Sequence, residues 1–336
     1  MNVTGSPDLV SHSRVTRTLA QVQKDFTRVS EELTTGVKSD VVAATGGDPA
    51  QLYALERNIA LNEKQGIVIE LAISRSSVTQ DVLERLEAAT GAVGVRLAAA
   101  VSIGDLRGAE IEAGRARGAF EEAVSALNSR FGERSLFAGA ATDGPALAPA
   151  DAILAEIKAR VAPAATAADA IAAVEDYFSD PAGFAATGYL GSTTDASAAE
   201  IAPGQRIDFA VRADQAEVVA ALSALAIGVI GAEGGFAGAT QAARLEVMGG
   251  AATRGLAASD GVVALRARTG VAEEQLDIAK VRTESERTFL QIARNRVIAS
   301  DPFEAGVAFN ALETQLQTIF SVTARLSSLN LASYLR

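Results

Sequence analysis

The chain has 336 residues, 49% of them hydrophobic, with no Cys, no Trp, one His and a formal net charge of −11. Zero Cys excludes disulfides, thiolate metal sites and cysteine nucleophiles, and a single imidazole excludes His-cluster metal centres. The acidic balance, with a pI near 4.8, excludes nucleic acid and anionic membrane surfaces as partners, since both are bound through Lys and Arg.

Length alone gives room for two or three domains. Aromatics make up only 5% of the chain and Ala is abundant, which favours close-packed helices over aromatic-rich sheets. The expected fold is mainly α: a long antiparallel helical bundle or coiled coil built from the two ends, with a small inserted α+β domain.

Near the amino end Val15, Leu19, Val22, Phe26, Val29 and Leu33 recur at spacings of four, three, four, three and four, the stripe of a coiled coil. Polar residues fill the positions between them, so the apolar seam is narrow and needs a partner. Asp8 or Ser11 is expected to cap this helix and Gly36 to end it. His12 lies on the same stripe and reads as an interfacial or exposed helix residue. The opening Met1 to Asp8 is polar, with no basic n-region or apolar h-region, so no cleaved secretory signal is expected.

After the turn-rich Thr45-Gly46-Gly47, Asp48-Pro49 reads as an N-cap with proline at the first helical position. A long helix follows through Leu52, Leu55, Ile59, Ile69, Ile73, Val82 and Leu86. Gly91 and Gly94 suggest an interruption, and a further helix starts after Gly104 and runs to Phe131. Beyond Gly132 the composition shifts to Gly, Pro, Ala and Thr. Two short helices are expected at 151–161 and 166–178, then a loop at 180–204. Ile207, Phe209 and Val211 alternate with Asp208, Ala210 and Arg212 as in a half-buried strand. Asp214 is expected to cap an apolar helix running to about Ile230. Its uncharged run Val218–Ala232 is short for a bilayer span.

Helical patterning returns from Thr240 to Ala299 as one long element. Ser300-Asp301-Pro302 repeats the cap-and-proline device. The last helix carries Phe309, Leu312, Leu316, Ile319, Leu326, Leu329, Leu331, Tyr334 and Leu335, a second apolar seam that matches the first. The expected domains are 1–45 with 300–336 as a terminal coiled coil, 46–139 with 240–299 as a helical rod, and 140–239 as the inserted outer domain.

Chemistry-bearing patterns are sparse. The Gly-rich stretch 231–238 lacks the Lys-Ser/Thr of a phosphate loop and follows no clear strand, so it reads as a flexible connection. The adjacent acids Glu31-Glu32, Glu121-Glu122 and Glu273-Glu274 diverge by about 100° on a helix and read as solvated faces. A Ser/His/Asp site would have to recruit His12 from the chain end. A sugar site would want aromatic lining, and the middle offers only Tyr177, Phe178, Phe184, Tyr189, Phe209 and Phe236. No catalytic, cofactor-binding or metal residues are expected, and no enzyme.

Four segments in order carry a resemblance. Ser30-Glu31-Glu32-Leu33-Thr34-Thr35-Gly36 stands where the bacterial flagellin superfamily has a leucine-rich "LSTG" segment, and Gly47-Asp48-Pro49 stands at its Asp-Asp-Pro turn. Leu127-Asn128-Ser129 through Leu136-Phe137-Ala138-Gly139 is similar to the "YLFAG" signature of the hook-associated junction proteins. Asp301-Pro302-Phe303 through Leu329-Asn330-Leu331-Ala332-Ser333-Tyr334-Leu335 resembles the family's closing helix. The chain departs from the family at Met1-Asn2-Val3-Thr4, which is not basic, and over 37–46, which is longer.

The resemblance implies an extracellular structural component of the flagellum, exported unfolded without cleavage and with an export chaperone. It implies self-assembly into a ring or tube, between a hook-associated protein on the hook side and flagellin, or another hook-associated protein, on the filament side. It implies subunit-interface roles for Val15, Leu19, Val22, Phe26, Val29, Leu33, Phe309, Leu312, Leu316, Ile319, Leu326, Leu329 and Leu335. A divergent flagellin forming the filament itself, or a non-flagellar helical binding or effector protein, are the alternative readings of the same sequence.

Overall fold

In the computed structural model residues 6–334 are described, with side chains over 13–325 apart from Val41 and Ala43. The chain is mainly helical, with two small two-stranded sheets. It divides into two compact units, one from 1–63 with 284–336 and one from 64–283. The units part inside the two long helices expected to form the rod.

The terminal unit contains α1 (Ser6–Thr35), α2 (Val41–Ala44), the start of α3 (Ala50–Ser102), the end of α8 (Gln241–Ile298) and α9 (Pro302–Tyr334). Because α1 already begins at Ser6, Asp8 and Ser11 lie inside the helix and not at its cap. Gly36, at φ +69°, ends it as expected, its N–H donating to the Glu32 carbonyl at 2.9 Å. The next residue forms an antiparallel bridge to Ala299. Lys38 N–H donates to the Ile298 carbonyl at 2.8 Å and Ser300 N–H to the Gly36 carbonyl at 2.9 Å. Both cap-and-proline devices form: Asp48 Oδ1 accepts from Ala50 N–H at 3.0 Å and Asp301 Oδ1 from Phe303 N–H at 2.8 Å.

The 64–283 unit contains the remainder of α3 and α8, α4 (Leu106–Leu127), α5 (Ala150–Val161), α6 (Ala167–Ser179) and α7 (Ala216–Glu233). Its hairpins are β1 (Arg130–Phe131) with β2 (Arg134–Ser135) and β3 (Ala199–Ala202) with β4 (Gln205–Ile207). The expected interruption at Gly91 and Gly94 does not occur: α3 runs through both. A Cβ on Gly94 would stand 3.0 Å from the Leu256 nitrogen, and one on Gly91 2.9 Å from Ser259 Oγ. These glycines therefore let α8 approach the α3 backbone instead of breaking the helix.

One large core joins side chains from α3 to α8, including Leu83, Leu97, Phe120, Phe137, Ile157, Tyr177, Leu222 and Met248. α7 is apolar all round and buried at Val218 and continuously over 221–231. It is the one described helix long and apolar enough to cross a membrane, and its burial makes it the core helix of this unit. Asp214 does not cap it. The helix starts from Gln215 without a side-chain cap, and Asp214 accepts from Arg212 Nε at 2.7 Å. α6 has the expected start, a capping box between Thr166 and Asp169.

A smaller cluster sets Ala199, Ile207 and Phe209 against Ala72 on α3 and Ala272 and Leu276 on α8. The alternation of Ile207, Phe209 and Val211 is real in burial, although the ladder itself ends at Ile207. The expected loop 180–204 holds a π-helical turn, Phe184–Gly188. The Gly-rich connection after α7 is pinned and not flexible. Ala237 N–H and Gly238 N–H donate to the Ala162 and Ala164 carbonyls at 3.0 Å each.

Candidate assembly interface

The sequence places its candidate residues on α1 and α9, and the structure brings these helices together. The Phe26 and Phe309 rings lie 4.8 Å apart, centroid to centroid. Along α1, Val22 and Val29 are buried, while Val15, Leu19 and Phe26 are half-buried. Along α9, Phe309, Leu312, Leu316 and Ile319 are half-buried. A stripe spaced at three and four meets one neighbour only, so its edges stay open to water.

Leu33 does not join the seam: it is 41% exposed, whereas Glu32 beside it is 8% exposed. Glu32 Oε1 accepts from the backbone N–H of Ser39 at 3.0 Å and from Arg28 Nη1 at 3.4 Å. The chain reverses after Gly36, and the inner position there needs an acceptor for the returning backbone more than it needs a leucine. Of the adjacent acidic pairs read as solvated faces, Glu31-Glu32 is thus half wrong. Leu326 and Leu329 lie where no side chain is described, as does His12, and Leu335 lies outside the described residues.

Sequence reasoning missed Ala305 and Thr323, which extend the α9 stripe by four residues at either end and are buried and half-buried. Their small or polar side chains gave no apolar signal. It also missed how much apolar surface this unit leaves uncovered. Phe303 is 79% exposed, Phe289 70%, Tyr53 60% and Phe320 52%.

An open groove of about 360 Å³ between α3 and α8 is lined by Glu56, Ile59, Ala60, Glu63, Gln291 and Arg294. Arg294 Nε stands 3.6 Å from Glu56 Oε1. The groove thus offers an apolar floor, a charge pair and one further carboxylate, with no hydroxyl, thiol or imidazole to act as a nucleophile or to shuttle protons near neutral pH. Among the described residues no group of three or more His, Cys, Asp or Glu is placed to hold a metal ion.

The segment that carries the resemblance to the junction proteins is structural. Leu136, Phe137 and Ala138 are all buried. Phe137 O accepts from Ala213 N–H at 3.0 Å, Ala138 O from Ser192 N–H at 2.9 Å, and Ala140 N–H donates to Thr194 O at 2.9 Å. Asn128 fastens the same region with two bonds to Leu147, accepting from its N–H at 2.8 Å and donating to its carbonyl at 3.0 Å. These residues plug the 64–283 core. No family model matches the chain, and no curated protein matches it.

Proposed function

We propose that this chain is a structural subunit of the bacterial flagellum, an adaptor that joins hook to filament and templates flagellin addition. In this reading its first and last helices form an antiparallel coiled coil whose open flanks receive neighbouring subunits. The observation that carries it is the α1–α9 seam, closed on one side at Val22, Val29 and Phe26–Phe309 and half-open along the rest. Each fully buried Val, Leu or Phe contributes roughly 1.5–3 kcal/mol, while ordering a residue's backbone costs roughly 1–2 kcal/mol. A seam of two buried and several half-buried side chains therefore holds the ends weakly, and a neighbouring copy that covers the flank supplies the rest.

The test is deletion of the gene, with imaging of the cells and assay of the medium for flagellin. Bare hooks with flagellin monomers in the medium are expected. Loss of the filament protein itself would make the chain a flagellin, and normal flagella would overturn the reading. Within the reading, Phe26→Asp places an unpaired charge in the seam. Assembly onto hooks should fail while the 64–283 unit keeps its far-ultraviolet circular dichroism and its cooperative unfolding; assembly at the wild-type level would remove the seam from the account.

A further inference from the structure

Within the 64–283 unit α3 and α8 run antiparallel and side by side. Lys280 Nζ lies 3.5 Å from Glu70 Oε1, and Gln80 Nε2 donates to the Arg266 carbonyl at 3.0 Å. A Cβ on Gly66 would stand 3.8 Å from Thr283 Cγ2. Each helix also carries a second apolar row left open to water: Ile67, Val68 and Leu71 on α3, and Val263, Val271 and Ile278 on α8, all 44–67% exposed. At about 100° per residue, the α3 row centres on the side of that helix opposite Gly66 and Gln80. The α8 row centres on the side opposite Thr283 and the buried Leu276. The two open rows therefore point away from each other.

Their charges are of opposite sign. Lys64, exposed, and Arg75, half-buried, close the two ends of the α3 row. The acid between them, Glu70, is turned to Lys280. From 260 to 278 on α8 the order is reversed. Asp260, Glu274 and Asp277 stand exposed, while the two arginines of that stretch are drawn off the row, Arg266 to Glu84 and Glu87 and Arg268 to Glu217. A row with basic ends and a row with acidic neighbours complement each other and not themselves. Pairing α3 with α3 would set like charges together and leave the α8 row open. Because the rows face opposite ways, two copies cannot cover both reciprocally. A contact from α3 to α8 passes from copy to copy, closing as a ring or continuing as a filament.

We propose that Ile67, Val68 and Leu71 of one copy dock on Val263, Val271 and Ile278 of the next, a head-to-tail interface between 64–283 units in which Lys64 and Arg75 meet the α8 carboxylates. This contact is separate from the α1–α9 seam and does not rest on the flagellar reading, so either can fail while the other stands.

The chain has no cysteine, so introduced thiols report contacts without background from native ones. The test mixes full-length Leu71→Cys with full-length Ile278→Cys and adds a short bismaleimide. The mixture should cross-link well above either variant alone, and above the collisional level set by Ile111→Cys, an exposed site on α4 outside both rows. Adding Lys64→Glu to the Leu71→Cys chain should cut the yield about threefold or more. A chain carrying both Leu71→Cys and Ile278→Cys should give a ladder of oligomers and not a dimer alone. All four positions are exposed, and an unchanged far-ultraviolet circular dichroism spectrum and thermal midpoint check the fold of each variant. A mixed yield no higher than that of Ile111→Cys overturns the proposal. Equal cross-linking by Leu71→Cys alone overturns it in favour of a symmetric pair.

Discussion

Gly139 closes the buried Leu-Phe-Ala-Gly segment at φ +58°, and a Cβ there would stand 2.4 Å from the Ser192 carbonyl oxygen and 2.5 Å from that of Thr194. Both obstacles are backbone, so neither can turn aside. Gly139→Ala combines a left-handed backbone with overpacking and should cost about 2–5 kcal/mol, read as a shift in the urea midpoint at unchanged slope; a loss under 1 kcal/mol would show that the loop gives way. Glu273 makes the opposite case. Burial, followed by the charges of Asp277 and Asp81, raises its pKa above the ordinary glutamate range. The folded state then keeps its proton to a higher pH than the unfolded state, so this group's contribution is present at acid pH and lost as pH rises through the folded value. Glu273→Gln should unfold at a higher temperature than wild type at pH 7, with the gap closing toward pH 4. A constant gap would assign the effect to something other than ionisation. What these residues face was not legible in advance: neither the Leu-Phe-Ala-Gly segment nor an adjacent acid pair carries a mark of its surroundings, and Glu32 shows that one member of such a pair can turn inward.

At the scale of elements, the periodic stretches were the legible part. Helix existence, the two Asp-Pro starts and the helix start at Thr166 follow from local chemistry that needs no distant partner, while the Thr166–Asp169 capping box emerged only in the structure. The failures came where one signal has two causes. Glycine weakens a helix and also lets another helix come close, and only the distant strip Ala252–Gly255–Leu256 decides between these at Gly94. Asp214 is a sound N-cap residue type, but a nearby arginine takes its carboxylate. The close crossing is testable: Gly94→Val would press a branched side chain on the α8 backbone at 3.0–3.2 Å. It should destabilise the 64–283 unit by about 1–3 kcal/mol, whereas Gly114→Val, with nothing within 4 Å of its Cβ, should change stability by no more than about 1 kcal/mol, since glycine is already a poor helix residue. Equal losses at the two sites would argue against the crossing.

For the molecule as a whole, buried side chains are unequally shared. The terminal unit rests on few, among them Val22, Val29, Leu52 and Ile298, while the 64–283 unit has a continuous core from α3 to α8. Brief digestion at low protease should therefore trim the chain ends first and leave a stable fragment within 64–283, identified by mass. First cuts within 140–239 would reverse that order. Composition made the mainly helical class legible, and the two matching stripes made the α1–α9 contact legible.

α7 has one more consequence. Its 18 residues are hydrophobic enough to pass for a membrane span by composition, and only tertiary structure hides them. Until the chain folds, this segment is the most apolar of the described helices. What covers it is the layer of α4, α5 and α6 together with side chains of α3 and α8, so any step that delays this packing leaves an 18-residue apolar surface open to association.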